Sequence, residues 1–169
     1  MVFWGVTMRQ SDYGLDLLDM VVEDQLEKVD FKYFHVAEAI ELLRQKILEE
    51  IERANRGCTP EELEFYMEYS FQIDFEQAVL LVAECLADYY GQGELVVYDD
   101  ASEYTREPER HIREVIVTDE DLRLLLTEMR KSLSPESDLF KSWEESDQFD
   151  KWQAHVKALC QTLEQQVGA

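Results

Sequence analysis

The feature that most constrains the fold of this chain is its scarcity of helix-breaking residues. Its 169 residues include only 3 Pro and 6 Gly, and apolar residues recur at intervals of three and four along long stretches. This spacing places apolar side chains on one face of an α-helix, whereas a strand needs alternation. The sequence therefore predicts a mainly α fold, a single-domain bundle of six to seven helices over residues 1–169.

Capping signals predict where the first three helices begin. Ser11 or Asp12 is placed to cap a first helix, and a second, long helix runs from about Tyr33 to Asn55. The segment Thr59–Glu62 reads Thr-Pro-Glu-Glu, which combines a capping box with proline at the first helical position. It is the strongest start signal in the chain, and we expect a short, aromatic third helix after it.

The later helices are predicted in the same way. Asp74 begins a fourth helix, which Gly91 ends and which is apolar on nearly all sides, so it should be the central, most buried one. Thr118 begins a fifth helix, and Ser134-Pro135 breaks it. Two helical segments follow, and Asp147 is placed to cap the second.

The helical periodicity fails between the fourth and fifth helices. Leu95–Tyr98 and Val115–Val117 are short, β-branched runs on either side of a polar loop. This pattern predicts a possible short β-hairpin around residues 94–117.

The charge balance limits the classes of partner. The chain has 16 Lys and Arg against 38 Asp and Glu, a formal net charge of −22. Such a surface repels nucleic acids and anionic membranes, so we expect neither as a partner, and it attracts basic proteins. No membrane-spanning run, secretory leader or CxxC pair is present in the sequence, which predicts a cytoplasmic protein with reduced cysteines.

One stretch has an unusual composition. From Gly57 to Thr105 there is no Lys or Arg, while twelve acidic residues and six of the eight tyrosines occur there. Acidic and aromatic side chains together are typical of a protein-binding surface, although a solubilising role for the acids stays open. The residues expected to bind the partner are Glu61, Glu64, Tyr66, Glu68, Tyr69, Asp99, Asp100 and Tyr104.

No pattern in the sequence predicts catalytic residues, a cofactor or a metal site. Acid pairs three residues apart are expected by chance at this acid content, and the His35-x-x-Glu38 pair lacks the second copy that a di-iron site needs. One enzyme class stays open, an all-α nucleotide pyrophosphohydrolase that holds Mg²⁺ through carboxylates. Its candidate ligands are Glu61, Glu64, Glu84 and Asp88.

Two patches carry a family resemblance. The first consists of Trp4-Gly5, Asp12 and the helix start at Gly14, and the second consists of Ser137, Leu139, Trp143, Phe149 and Trp152. Both patches resemble an uncharacterised bacterial family, domain of unknown function 4259, whereas residues 28–72 and 91–118 do not follow its pattern. The resemblance implies a small helical bacterial protein and brings no mechanism with it.

The leading hypothesis from the sequence is a non-enzymatic acidic protein that masks a basic protein. An immunity protein that inhibits a cationic toxin domain, such as a nuclease, fits the composition best. A structural or adaptor subunit is a third class that the composition permits, beside the Mg²⁺ enzyme.

Overall fold

The computed structural model describes residues 6–26, 33–97 and 110–169, and within them the protein is mainly helical, as predicted. The α-helices in these ranges are α1 (Asp12–Val21), α2 (Val36–Ala54), α3 (Pro60–Gln92), α4 (Asp119–Ser132), α5 (Asp138–Glu144) and α6 (Phe149–Glu164). The strands are β1 (Tyr33–His35), β2 (Leu95–Val97), β3 (Arg110–Ile112) and β4 (Glu114–Ile116). A 3₁₀ turn (Met8–Gln10) precedes α1, and a π-helical turn (Val22–Leu26) follows it.

Helix α3 dominates the architecture. Its 33 residues make it about 50 Å long, and it contacts all five other helices and β2. Every residue from Phe75 to Leu86 is buried, which confirms the prediction of a central helix that is apolar on nearly all sides. The hydrophobic core therefore surrounds the second half of α3.

The sequence prediction of two helices here, with a break before Asp74, is wrong. The capping box is confirmed at the start of α3, because Thr59 Oγ1 accepts the Glu62 N–H at 3.2 Å. Neither Pro nor Gly occurs from Glu61 to Tyr90, so no residue stops the helix at Asp74, whose carboxylate lies in a groove beside α1 and α2. Gly93, with a φ of 77°, ends α3, and Gly91 lies inside the helix.

The strands form two small pairs. A β-hairpin within residues 94–117 is confirmed, but its second strand is not the predicted one. Strand β2 pairs antiparallel with β3, Leu95 opposite Ile112, instead of with the predicted Val115–Val117 run. Both Leu95 and Ile112 are buried in the core, which selects this register. Strand β4 contains Val115 and pairs in parallel with β1, at Tyr33–His35, where the second helix was expected to begin.

The N-terminal turn and α1 fit closely together. Ser11 caps α1, since its Oγ accepts the Gly14 N–H at 3.0 Å. A β-carbon at position 14 would lie 1.8 Å from the Met8 carbonyl oxygen, so only glycine permits the turn to approach the helix this closely.

The C-terminal helices form as predicted, and they complete the core. Thr118 and Asp121 form the capping box of α4, and the rings of Trp143 and Trp152 stack at 5.5 Å in the interior. Asp147 does not cap α6, because Gln148 occupies that position without a side-chain hydrogen bond. Within the described ranges, no helix is long and apolar enough to cross a membrane.

Candidate protein-binding surface

The first half of α3 presents five of the predicted partner-binding residues to solvent. Glu61, Glu64, Tyr66, Glu68 and Tyr69 are all exposed there. The opposite side of the same segment packs against the hydrophobic core through Met67 and Phe71. Asp99, Asp100 and Tyr104, the other three predicted residues, lie outside the described ranges.

The structure adds Phe65 to this set. Its side chain is 60% exposed, more than that of any other large hydrophobic residue in the described ranges. Its ring stacks on Tyr69, with centroids 5.9 Å apart, and meets Tyr66 edge-on at 5.7 Å. The spacing of four residues between Phe65 and Tyr69 puts both on one helix face, and this is the signal by which the sequence could have indicated that Phe65 belongs to the surface. We call Glu61, Glu64, Phe65, Tyr66, Glu68 and Tyr69 the outer α3 surface.

The acids of the outer α3 surface are unpaired among the described residues. Within the described part of the chain, Glu61, Glu64 and Glu68 form no ion pair. The cations of the adjacent α2 are paired along their own helix, Lys46 with Glu49 at 3.6 Å and Arg53 with Glu50. Within the described part of the chain, no ion pair therefore offsets the negative charge of the outer α3 surface.

Farther along the chain, the acids of the Lys/Arg-free stretch have other roles. Asp88 binds the Arg9 guanidinium at 2.7 Å, and Glu94 lies 2.9 Å from His111. Among the described residues of the stretch from Gly57 to Thr105, the exposed acids without an ion pair are thus concentrated in the first turns of α3.

Glu84 anchors the N-terminal turn from inside the core. It is 3% exposed, and its carboxylate accepts the N–H groups of Met8 at 2.8 Å and of Arg9 at 3.4 Å. His155 Nε2 lies 3.0 Å from the same carboxylate. These contacts satisfy the oxygens of a buried acid, which is the condition for retaining it.

A second buried acid is held between α3, α4 and the start of α5. Glu76 accepts hydrogen bonds from Gln72 at 3.2 Å and from Ser137 at 2.9 Å, and Gln72 also donates to Glu128 at 3.1 Å. Burial raises the pKa of Glu76, although these two hydrogen bonds oppose the effect. Both buried acids of α3 are therefore structural.

The four acids considered as Mg²⁺ ligands do not meet. Twenty residues of continuous helix separate Glu64 from Glu84, which corresponds to about 30 Å. Carboxylates that share Mg²⁺ each lie about 2 Å from the ion, so this set cannot form one site. Within the described ranges no cluster of three or more His, Cys, Asp or Glu could hold a metal ion, and His35 caps α2 by accepting the Glu38 N–H.

A groove lies between α1, α2 and α3. Its volume is about 410 Å³, and Tyr13, Asp16, Lys46, Glu50 and Asp74 line it. Burial raises the pKa of Asp74 to about 6. Burial, followed by the charges of Asp74, Glu50 and Asp16, also raises the pKa of Tyr13. The groove is acidic, with Lys46 as a cation on its wall.

Fold and surface together define a class: a strongly acidic helical protein that displays an acidic and aromatic helix face. The chain matches the family described as Domain of unknown function (DUF4259) over residues 47–155, more than half of its length, and it belongs to that family. The match contains the outer α3 surface and the pattern from Ser137 to Trp152, while Trp4-Gly5 precedes it. It also runs through residues 47–72 and 91–118, which the sequence comparison had placed outside the pattern. No curated protein and no solved structure matches the chain.

Proposed function

We propose that this protein is a non-enzymatic binding protein that inhibits a basic protein by covering its functional surface. The partner we propose is a cationic toxin domain, such as a nuclease, which would make this chain an immunity protein of the bacterial cytoplasm. The observation that carries the proposal is the outer α3 surface, where carboxylates without an ion pair among the described residues lie beside exposed aromatic rings.

The proposed mechanism is occlusion. Glu61, Glu64 and Glu68 would contact the Lys and Arg side chains with which a nuclease holds phosphates. The rings of Phe65 and Tyr69 would fill adjoining pockets and contribute most of the affinity, since aromatic anchors dominate interface energies. The large net negative charge would raise the association rate by roughly 10 to 10³-fold at low salt.

A solubilising role for the acids explains less of the surface. Charges alone keep a protein soluble, and exposed aromatic side chains work against that purpose. Here a 60% exposed phenylalanine and a 54% exposed tyrosine stack beside the acids. This combination favours a surface that is covered by a partner.

The test starts from the genes beside this one. Each neighbouring reading frame that encodes a basic protein is expressed with and without this chain, and cell survival is measured. The purified pair is then titrated at about 50 and about 200 mM salt, where the affinity should fall steeply as the salt rises. The variant Glu61→Gln/Glu64→Gln/Glu68→Gln should weaken binding by at least about 30-fold.

A matched control separates local from overall charge. The variant Glu144→Gln/Glu145→Gln/Asp150→Asn changes the net charge equally at exposed positions around the end of α5 and the start of α6, and it should leave the affinity nearly unchanged. Equal losses in both variants, or a partner whose affinity is indifferent to salt, would contradict the proposed surface. Absence of any basic partner would contradict the function.

A further inference from the structure

The outer α3 surface consists of two parallel stripes. Glu61, Glu64 and Glu68 follow each other at intervals of three and four, so they form one acidic row along the helix. Phe65 and Tyr69, four residues apart, stack in an aromatic row beside it, and Tyr66 meets Phe65 edge-on. The acidic row spans about 10.5 Å, nearly two helical turns, and the aromatic row runs beside its C-terminal half for about 6 Å, about one turn.

We infer that these rows bind a basic, amphipathic α-helix of the partner, which lies along the first half of α3. The inference rests on the proposed function and specifies the shape of the partner's recognition element. Such a helix would place an apolar row on Phe65 and Tyr69 and a Lys/Arg row on Glu64 and Glu68. Two helices packed in this way interlock their side-chain ridges at an axis separation of about 8–10 Å.

The arrangement of the rows excludes an extended segment as the best match. Successive side chains of a strand point to opposite faces, so a strand with an apolar row and a basic row carries them on opposite faces. The acidic and aromatic rows of α3 share one face, and an extended segment could satisfy only one of them. A helix, in contrast, carries rows at intervals of three and four next to each other.

Charge also selects among the occupants of this face. A second copy of this chain would bring its own acidic row against the first and would repel it, because each copy has a net charge of −22. An anionic membrane is disfavoured for the same reason. A basic helix from a different protein is the occupant that the charges favour.

The test uses the full chain and a synthetic, dye-labelled peptide of about 18 residues, roughly five helical turns. In this probe leucines recur at three and four, and arginines follow the same spacing in an adjacent row. A second peptide of the same composition alternates leucine with arginine and therefore forms an amphipathic strand. Fluorescence anisotropy measures both affinities, and circular dichroism measures the helix that the probe gains on binding.

The expected result is a preference of at least about tenfold for the helical peptide, together with a gain of helix on binding. The variant Phe65→Ala/Tyr69→Ala should weaken this binding by about tenfold or more. The matched control Tyr33→Ala/Ile116→Ala removes two exposed hydrophobic side chains from β1 and β4 and should leave it unchanged. Unchanged thermal unfolding of each variant establishes that the fold is intact.

Equal affinity for the two peptides, or no binding of the helical one, overturns this inference. The proposed function survives that outcome if the natural basic partner still loses affinity in the Glu61→Gln/Glu64→Gln/Glu68→Gln variant. If the natural partner is insensitive to that variant, the proposed function fails as well. The two failures are therefore distinguishable.

Discussion

The two halves of α3 use the same residue type in opposite ways. In the second half, Glu76 and Glu84 are buried, and N–H or O–H groups of other segments contact their oxygens. In the first half, Glu61, Glu64 and Glu68 are exposed and have no ion pair within the described residues. Since the helix is continuous, the difference comes from what packs around each half. An acidic helix becomes structural where other segments supply donors and available for binding where they do not.

Replacing acids in the two halves should separate these roles most clearly. Glu84→Ala removes the acceptor of two N–H groups and a partner of Arg9 and His155, so the free energy of unfolding should fall by about 3 to 5 kcal/mol. Glu64→Ala, the control in the first half of α3, should change it by less than about 0.5 kcal/mol. Urea unfolding of both variants measures the difference, and similar losses would contradict the assignment of roles.

The next largest change in stability is expected from a substitution at the N-terminal turn that Glu84 anchors. In Gly14→Ala the new methyl group would overlap the Met8 carbonyl, so the turn must shift and stability should fall by about 2 kcal/mol. Gly91→Ala is the matched control, because nothing lies within 4 Å of that position and alanine favours the helix by roughly 0.5 to 1 kcal/mol. Thermal unfolding should show shifts of opposite sign, and a stabilising Gly14→Ala would rule out the close contact.

Asp74 lies where the exposed half of α3 meets the buried half, and its contribution to the free energy of unfolding should depend on pH. Burial raises its pKa from 3.8 to about 6, so between these values the folded protein retains a proton that the unfolded chain releases. The free energy of unfolding should therefore decrease as the pH rises through this window. Asp74→Asn removes this term and should be more stable than the native protein at pH 7 by about 1 kcal/mol, since solvent screens part of the shift.

The same comparison at about pH 3.5 checks the origin of that gain. There the carboxyl group is mostly protonated in both states, and the two proteins should have nearly equal stability. Glu68→Gln, which removes a charge from the exposed face, serves as the control and should not produce a stability gain of about 1 kcal/mol at pH 7. If the stability of Asp74→Asn differed from that of the native protein by the same amount at all pH values, packing would explain the difference instead of titration.

The smallest change in stability is expected from substitutions on the outer α3 surface. Glu64 and Glu68 are four residues apart and repel each other, so the variant Glu64→Gln/Glu68→Gln should gain roughly 0.2 to 0.5 kcal/mol of stability. Glu144→Gln/Glu145→Gln has the same change in net charge at adjacent positions that do not face each other, and it should gain less. If partner binding weakens while stability rises, the acids are retained for binding; a loss of stability would argue for a structural role.

Much of the fold could be predicted from local signals. The capping boxes at Thr59 and Thr118 lie where the sequence placed them, because each depends on residues only three positions apart. Trp143 and Trp152 lie in the two C-terminal helical segments that the sequence predicted, and their rings stack in the core. The predicted break before Asp74 is wrong, because a residue that can cap the start of a helix can also lie inside a longer helix.

The candidate site was predicted in part. The exposed acids and tyrosines from Glu61 to Tyr69 were identified from composition, but Phe65 was not, because an isolated phenylalanine in a helix is usually a core residue. The network of Arg9, Glu84 and His155 was also missed. Its members are about 70 residues apart along the chain, and no local pattern connects them.

The sequence alone determined the helical class, most of the helix boundaries and the strong negative charge, because these depend on local spacing, caps and composition. The tertiary structure decided that α3 is one helix, which strands pair and which acids are buried. The physical reason is that pairing and desolvation depend on groups that meet only when distant segments pack together. Glu64 and Glu84 look alike in the sequence, and their surroundings in the fold make one a candidate contact for a partner and the other a structural anchor.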